Sequence, residues 1–401
     1  MATLASRRPV SPRTIAHARR WAHQNLFSTP ANGVLTVVVG ALILFVAYQL
    51  LRFVLTEADW TVIQTNRRLL AVGRFPRDDE WRLWPPIWTL AALIGLSYGH
   101  WSRLDRVAYA VLAAVLVFAF TVLFEGRNAL LMAVALALGA AGYLAVRRIP
   151  EGSALAGRAG RAIVFGWLIL LPFTVALLLA AGGVRTTLWG GILLNVMLAT
   201  VGIAAGFPIG VLMALGRTSS LPVVRIPATL YIELVRAGPL IAWLFLARFV
   251  LLDFMPPILT LDQLDIVVRA MIVLAAFTGA YVAEIVRGGL QGLGRGQSEA
   301  AQALGLNAYQ TTTQIVLPQA LRNVIPALVS QFISLWKDTT LVFALGLTDL
   351  LGAGEAAYAQ LAFIGTQAEV LAFVALLFWA IAFAMSRLSR RLETRLGVGE
   401  R

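Results

Sequence analysis

Long apolar runs constrain the fold of this 401-residue chain more than any other feature of its sequence. Hydrophobic residues make up 59% of the chain and charged residues only 13%, whereas soluble domains carry about 25% charged residues. A run of roughly 20 apolar residues is long enough to cross the hydrocarbon core of a bilayer as a helix. The sequence therefore predicts an all-α, polytopic integral membrane protein surrounded by a lipid bilayer.

About ten of these runs are candidate transmembrane helices. The second run is short, but the tryptophans that precede and begin it are typical of a membrane interface. The predicted spans lie at about 34–55, 86–100, 106–124, 128–146, 162–182, 188–214, 226–252, 264–286, 323–347 and 369–388.

The placement of arginine predicts the orientation of these spans. If the N-terminus is inside, the loops assigned to the cytoplasm hold 21 arginines, counting Arg106 and Arg387 at the ends of the adjoining spans, and those assigned outside hold seven. From residue 215 onward the numbers, again counting Arg387, are ten and none, which is a clear positive-inside bias. We therefore expect both termini in the cytoplasm, including a basic tail at 391–401. This topology also explains the net charge of +13, so no nucleic-acid partner is expected.

Several kinds of chemistry are excluded by residue content. The chain has no cysteine, and its histidines, His17, His23 and His100, form no ligand cluster, so no metal site is predicted. Lys337 is the only lysine, and the glycine pattern of a phosphate-binding loop does not precede it. We therefore expect no ATPase activity, no catalytic residues and no cofactor on this chain.

One mixed polar segment, residues 299–318, stands out between the apolar runs. Glu299 fits the first turn of a helix, where a carboxylate complements unpaired N–H groups. Gly305 can adopt the left-handed conformation that ends such a helix, and Asn307 can begin a second one. The small residues predict close approach by a docking partner. Helical spacing places two sets on one face each: Ala300, Ala301 and Leu304, then Tyr309, Thr312 and Ile315.

This segment resembles the EAA loop of membrane subunits of ATP-binding-cassette importers. The resemblance is carried by Glu299-Ala300-Ala301, by Gly305, and by Ile315 followed by Leu317-Pro318. It implies that the loop 286–322 contains a coupling helix that sits in a groove on a cytoplasmic ATPase subunit. The alternative interpretation is an amphipathic surface helix without a partner, because short motifs also occur by chance.

Longer stretches narrow the resemblance to polar amino-acid permeases. These are YIELVRAGPL at 231–240 and the segments 280–306 and 317–341. NLFS at 25–28 and the five extra spans resemble the longer permease of general L-amino-acid and glutamate/glutamine/aspartate/asparagine importers. The resemblance implies a type I importer permease core of five helices at 188–390, preceded by an accessory part at 1–187.

The family resemblance also implies partners. A second, homologous permease would complete the translocation pathway, two ATPase subunits would bind ATP, and a periplasmic binding protein would deliver a polar L-amino acid. The location would be the bacterial inner membrane. A secondary transporter driven by an ion gradient is the alternative, but it does not explain the EAA spacing and should show repeats with interrupted helices. A membrane scaffold would explain the helices alone.

Charged residues within or beside the predicted spans leave two interpretations open. Glu233 and Arg236 are three residues apart and could pair with each other, and the same spacing recurs in Glu284 and Arg287. Such pairs could fix helix packing. Alternatively, charges could line the substrate passage, because intramembrane charges are expensive and mark function. The candidate passage residues are Glu233, Arg236, Lys337 and Asp338, the last two lying in mid-run.

Overall fold

The computed structural model describes residues 20–101, 126–150, 152–250, 265–294 and 296–396. Within these ranges the chain forms helices and no strands, which confirms the all-α prediction. It divides into two compact units, residues 1–59 and 60–401. The described α-helices are α1 (Pro30–Arg52), α2 (Thr61–Thr65), α3 (Arg67–Val72), α4 (Trp84–Trp101), α5 (Arg127–Arg147), α6 (Ala154–Leu179), α7 (Gly191–Arg217), α8 (Pro222–Ala237), α9 (Leu240–Phe245), α10 (Ile266–Gln291), α11 (Gly296–Ala303), α12 (Ala308–Gln310), α13 (Leu317–Asp338), α14 (Leu350–Tyr358) and α15 (Gln367–Leu396).

Six helices are long and apolar enough to cross a membrane in the described part of the chain, or seven if one bent pair counts as a span. The six include α1 with its π-helical extension to Glu57, and also α5, α6, α7, α10 and most of α15. Helices α4 and α13 also form, but they are not among these six. The predicted total of ten spans stays a prediction, since the run at 106–124 lies outside the described residues.

The first unit contains α1. The Thr29 side chain caps it by accepting a hydrogen bond from the Asn32 amide at 3.2 Å, which satisfies one of the free N–H groups of the first turn. At the other end Arg52 forms an ion pair with Glu57 at 2.6 Å. These local contacts fix the ends of the predicted first span.

In the second unit, α4 packs in parallel with α5. Gly95 lies against the backbone of Gly139, and Gly99 lies against Tyr143, four residues further along each helix, so the two helices run in the same direction. The Trp88 indole N–H also donates to the Leu131 carbonyl at 2.9 Å. The predicted span at 106–124, which would return the chain between these two helices, lies outside the described residues.

Glycines bring α7 and α10 into close contact in the same parallel sense. A β-carbon on Gly206 would lie 2.8 Å from Cβ of Thr278, and one on Gly210 would lie 2.5 Å from Cβ of Val282. Gly202 similarly faces Leu274 and Leu335. These glycines, spaced four residues apart, therefore serve close helix packing.

The span predicted at 226–252 is broken rather than continuous. Helices α8 and α9 meet at Gly238–Pro239 with a bend of 104°. Proline lacks an N–H and disfavours helical geometry in the residue before it, and Gly238 is extended, with φ −106° and ψ 154°. The Trp243 indole N–H donates to the Val235 carbonyl at 3.0 Å across the break. Pro208, in contrast, lies inside a continuous α7.

The predicted span at 323–347 is also shorter than expected. Helix α13 ends at Asp338, a tighter 3-10 helix follows over Thr339–Leu345, and Gly346 turns the chain with a φ of 78°. Asp349 then caps α14 by accepting from the Gly352 amide at 2.9 Å. The α-helical part of this segment therefore ends at Asp338, nine residues before the predicted end at 347.

We expect Gly210→Leu to destabilise the protein, because a larger side chain would overlap Val282. Overpacking of this kind costs about 1–3 kcal/mol. The measurement is the melting temperature of the detergent-purified chain, which should fall. Gly157→Leu, within α6, is the matched control, since nothing lies within 4 Å of its added β-carbon. Equal losses in both variants would contradict the packing role of Gly210.

Candidate coupling segment and ion-pair cluster

The first half of the predicted coupling segment is a helix with a well-defined end. Glu299 lies in the first turn of α11, as predicted. After α11 the Leu306 amide donates to the Ala301 carbonyl at 3.1 Å, and the Gly305 amide donates to Gln302 at 2.9 Å. This pair of bonds is a Schellman motif, which requires a left-handed residue. Gly305 has a φ of 82°, which confirms the prediction that it ends the helix in the left-handed conformation.

The second half begins at Asn307, also as predicted. The Asn307 side chain accepts from the Gln310 amide at 2.9 Å, and the Gln310 side chain accepts from the Asn307 amide at 3.0 Å, which forms a capping box. Residues 311–316 then form a π-helix that runs directly into α13 at Leu317. The regular α-helical spacing expected for Tyr309, Thr312 and Ile315 is therefore wrong, since a π-helix has a wider turn.

The exposed surface of this segment differs from the predicted face. Ala301 is buried, with 3% exposed, whereas Ala300 and Leu304 point outward and Leu304 is 83% exposed. Adjacent helical residues point in different directions, so Ala301 cannot share the face of its neighbour Ala300. Tyr309, which is 76% exposed, lies beyond the turn. Large exposed apolar side chains on a polar loop indicate a protein-binding surface.

A cluster of ion pairs joins α7, α8 and α10 near their C-terminal ends, and α10 leads into the coupling segment. Glu284 on α10 lies at its centre and accepts from Arg217 on α7 at 2.7 Å and from Arg287 at 2.8 Å. Arg236 on α8 approaches the same carboxylate at 3.4 Å. Arg217 also contacts Glu233 at 2.7 Å. One carboxylate thus holds three cations from three helices.

The cluster confirms one predicted pair and replaces another. Glu284 and Arg287 pair as expected, but Glu233 pairs with Arg217, and Arg236 pairs with Glu284. Sequence reasoning missed Arg217, because its partners lie 16 and 67 residues away. The available signal was a cation in the last turn of α7, where the helix dipole favours positive charge.

Lys337 and Asp338 lie elsewhere. They are the last two residues of α13, where Lys337 is exposed and Asp338 is half-buried, so they lie at a helix end and not in the middle of a continuous helix. In the described part of the chain, no ion pair joins either residue to Arg236 or Glu284. The nearby Leu335 lies at the level of Leu274, which is ten residues, or about 15 Å, along α10 from Glu284. The four candidate passage residues therefore form two separate groups.

Comparison with known proteins identifies the family. The model for inner membrane components of binding-protein-dependent transport systems matches residues 206–398. The inner membrane amino-acid ABC transporter permease protein YhdY of Escherichia coli is 33% identical over 415 residues, covering 97% of this chain and 96% of that protein. The glutamate/glutamine/aspartate/asparagine transport system permease protein BztC of Rhodobacter capsulatus is 36% identical over 413 residues, covering 94% of each.

A shorter relative matches only part of the chain. The probable glutamine ABC transporter permease protein GlnP of Bacillus subtilis is 34% identical over 208 residues, which is 93% of that protein but 52% of this chain. The chain belongs to the family of inner membrane components of binding-protein-dependent transport systems. This confirms the family inferred from residues 299–318 and the multi-pass inner membrane location. It also implies an ATPase and a substrate-binding protein as partners.

We expect Glu284→Gln to destabilise the helix bundle, because it leaves three arginines facing one another without their shared carboxylate. The Glu284 side chain is only 16% exposed, so the cost should lie between the about 0–1 kcal/mol of an exposed pair and the about 3–5 kcal/mol of a fully buried one. Glu233→Gln is the matched control: its side chain is 61% exposed, and such pairs contribute about 0–1 kcal/mol. The melting temperature of the purified chain should fall far more for Glu284→Gln. Similar values for the two variants would contradict a central role for Glu284.

Proposed function

We propose that this chain is a permease subunit of an ATP-driven importer of polar L-amino acids and forms half of its translocation pathway. The proposal is supported by relatives that align over nearly the whole chain and whose names describe amino-acid transport. A secondary transporter driven by an ion gradient would have no use for the coupling segment, so that alternative is not favoured.

The observation that carries the proposal is the geometry of the coupling segment. A Schellman motif and a capping box on either side of Leu306 hold the turn rigidly. The exposed Leu304 and Tyr309 project from it. A groove on an ATPase subunit is the partner that this surface fits. ATP would be bound and hydrolysed by two such partner subunits, and this chain would carry no cofactor.

The remaining partners and the orientation follow from the same proposal. A second, homologous permease pairs with this chain, and a periplasmic binding protein delivers the substrate and provides most of the specificity. Both termini face the cytoplasm, as the arginine distribution predicts. In this orientation the coupling segment and the Glu284 cluster lie at the cytoplasmic end of the helices. Residues 60–83 and Gly346–Asp349 lie at the periplasmic end.

We expect Gly305→Val to uncouple ATP hydrolysis from import. A β-branched residue in the left-handed conformation costs about 1–2 kcal/mol, so the ratio of the docking geometry to other conformations should fall about 5- to 30-fold. The complex should still assemble in the membrane, because Gly305 has open space around it. The measurement is amino acid imported per ATP hydrolysed in proteoliposomes that contain the complete complex.

Two matched variants sharpen this test. Gly294→Val makes the same change where an added β-carbon also has open space, but without a positive φ, so it should import normally. Gly305→Asn should retain most activity, because asparagine tolerates the left-handed conformation. Wild-type import by Gly305→Val would contradict the coupling role. Failure of all variants to recruit an ATPase subunit would contradict the proposed function itself.

The candidate passage is tested by Asp338→Asn, which removes a charge with little change in volume. We expect this variant to lose import while the complex still assembles, because a half-buried acid at the end of α13 can interact with the ammonium group of an amino acid. Asp78→Asn, at an exposed position, is the control. Normal uptake by Asp338→Asn would remove this residue from the passage, and poor accumulation in the membrane would indicate a structural role instead.

A further inference from the structure

Residues 60–83 belong to the polar stretch between the first two predicted spans, yet they pack into the helices of the predicted core. Val62 and Ile63 are fully buried, and Leu70 is 1% exposed. They form one apolar cluster with Leu350 on α14 and Phe373 on α15. We call this segment the brace, and its burial makes it part of the structure around α14.

Glycines allow the backbone of the brace to touch the start of α7. Gly73, with a φ of 66°, lies directly against Gly190, and a β-carbon on Gly191 would overlap the Leu70 carbonyl. The Gly191 amide in turn donates to the Thr348 carbonyl at 2.8 Å. Three distant parts of the chain therefore meet here through backbone contacts that leave no room for side chains.

Polar contacts fasten both ends of the brace. The Gln360 amide group, beyond the end of α14, donates to Oδ1 of Asn66 at 2.7 Å. Arg82 donates to the carbonyls of Leu177 and Ala180 at 2.9 Å each, at the end of α6, and it is only 9% exposed. A cation that donates to free carbonyls stabilises a helix C-terminus. The brace thus connects α6 to the region of α14.

The region held by the brace contains a buried hydrogen-bond network. The Asn195 side chain on α7 donates to Thr339 and to Asp349 at 3.0 Å each and accepts from the Leu350 amide at 2.8 Å. All three polar side chains are completely buried. This network joins the start of α7 to α14 and to the residue that follows Asp338.

We propose that the brace makes residues 346–360 and the start of α7 a single rigid body that keeps its shape through the transport cycle. The brace therefore serves to position the end of α13, which bears Lys337 and Asp338. The proposal rests on the proposed function only in those experiments that measure import. It assigns to the first half of the chain a role in converting ATP hydrolysis into movement of substrate.

A reducible cross-link across the contact between the brace and Gln360 tests this rigidity. The chain has no cysteine of its own, so Asn66→Cys with Gln360→Cys introduces one defined pair. Because the native contact joins the tips of two longer side chains, a short bis-methanethiosulfonate reagent, and not a direct disulfide, should bridge the two thiols. The complete complex with the cross-linked pair, detected by mass spectrometry of the joined peptides, should import amino acid at the rate of its reduced form.

Gln64→Cys with Gln360→Cys is the matched control, because Gln64 is exposed on the same short helix as Val62 and should cross-link far less. If the Asn66 pair cross-links no better than this control, the contact is absent and the proposal is overturned. A cross-link that stops import until it is reduced would show that the contact must open during the cycle, which would also overturn it. Cross-link yield needs no transport, so failure of the proposed function would be distinguishable.

A loosened brace tests the positioning role. Ile63→Ala leaves a cavity in the apolar cluster that holds the brace, and we expect amino acid imported per ATP hydrolysed to fall by about fivefold or more. The complex should still retain its ATPase subunits. Gln64→Ala should behave as wild type. Unchanged import per ATP, or import and hydrolysis that fall together with loss of the ATPase subunits, would overturn the proposal.

Discussion

In a bilayer, every backbone N–H and C=O group must find a partner within the protein, and the described structure follows from this constraint. It explains why helices fill the described ranges and where they are interrupted. At Gly238–Pro239 the indole of Trp243 donates to a carbonyl that the break would otherwise leave free. Before α14, Asn195 accepts from the Leu350 amide. Irregular backbone thus occurs where another part of the protein satisfies it.

The same constraint explains how polar contacts are distributed along the core helices. The middle of the α7–α10 contact is made by glycines, Thr278 and apolar residues, which associate by close packing without hydrogen bonds between the two helices. Ion pairs cluster around Glu284 at one end, and the hydrogen-bond network of Asn195 lies at the other. Each end therefore has its own polar contacts. A rearrangement at one end need not break those at the other.

Features that depend on neighbouring residues were predictable from the sequence. Glu299, Gly305 and Asn307 act on backbone groups within five positions, so their local pattern is sufficient. The partners of Arg217 could not be predicted in this way, because they are chosen by how three helices pack. The breaks near Gly238 and after Asp338 were underestimated for the same reason. A hydropathy pattern records apolar length but does not record where the helix axis turns.

Contacts of residues 60–83 bind this segment tightly to the core helices. Fully burying Val62, Ile63 and Leu70 contributes on the order of 1.5–3 kcal/mol each, which far exceeds a single exposed ion pair. Such a contact does not open and close at low cost. The brace and α14 therefore act as one element, and conformational change must occur at interfaces with weaker contacts. The 104° break between α8 and α9 lies outside the brace and is spanned by an indole hydrogen bond, so a change of angle there would leave the brace intact.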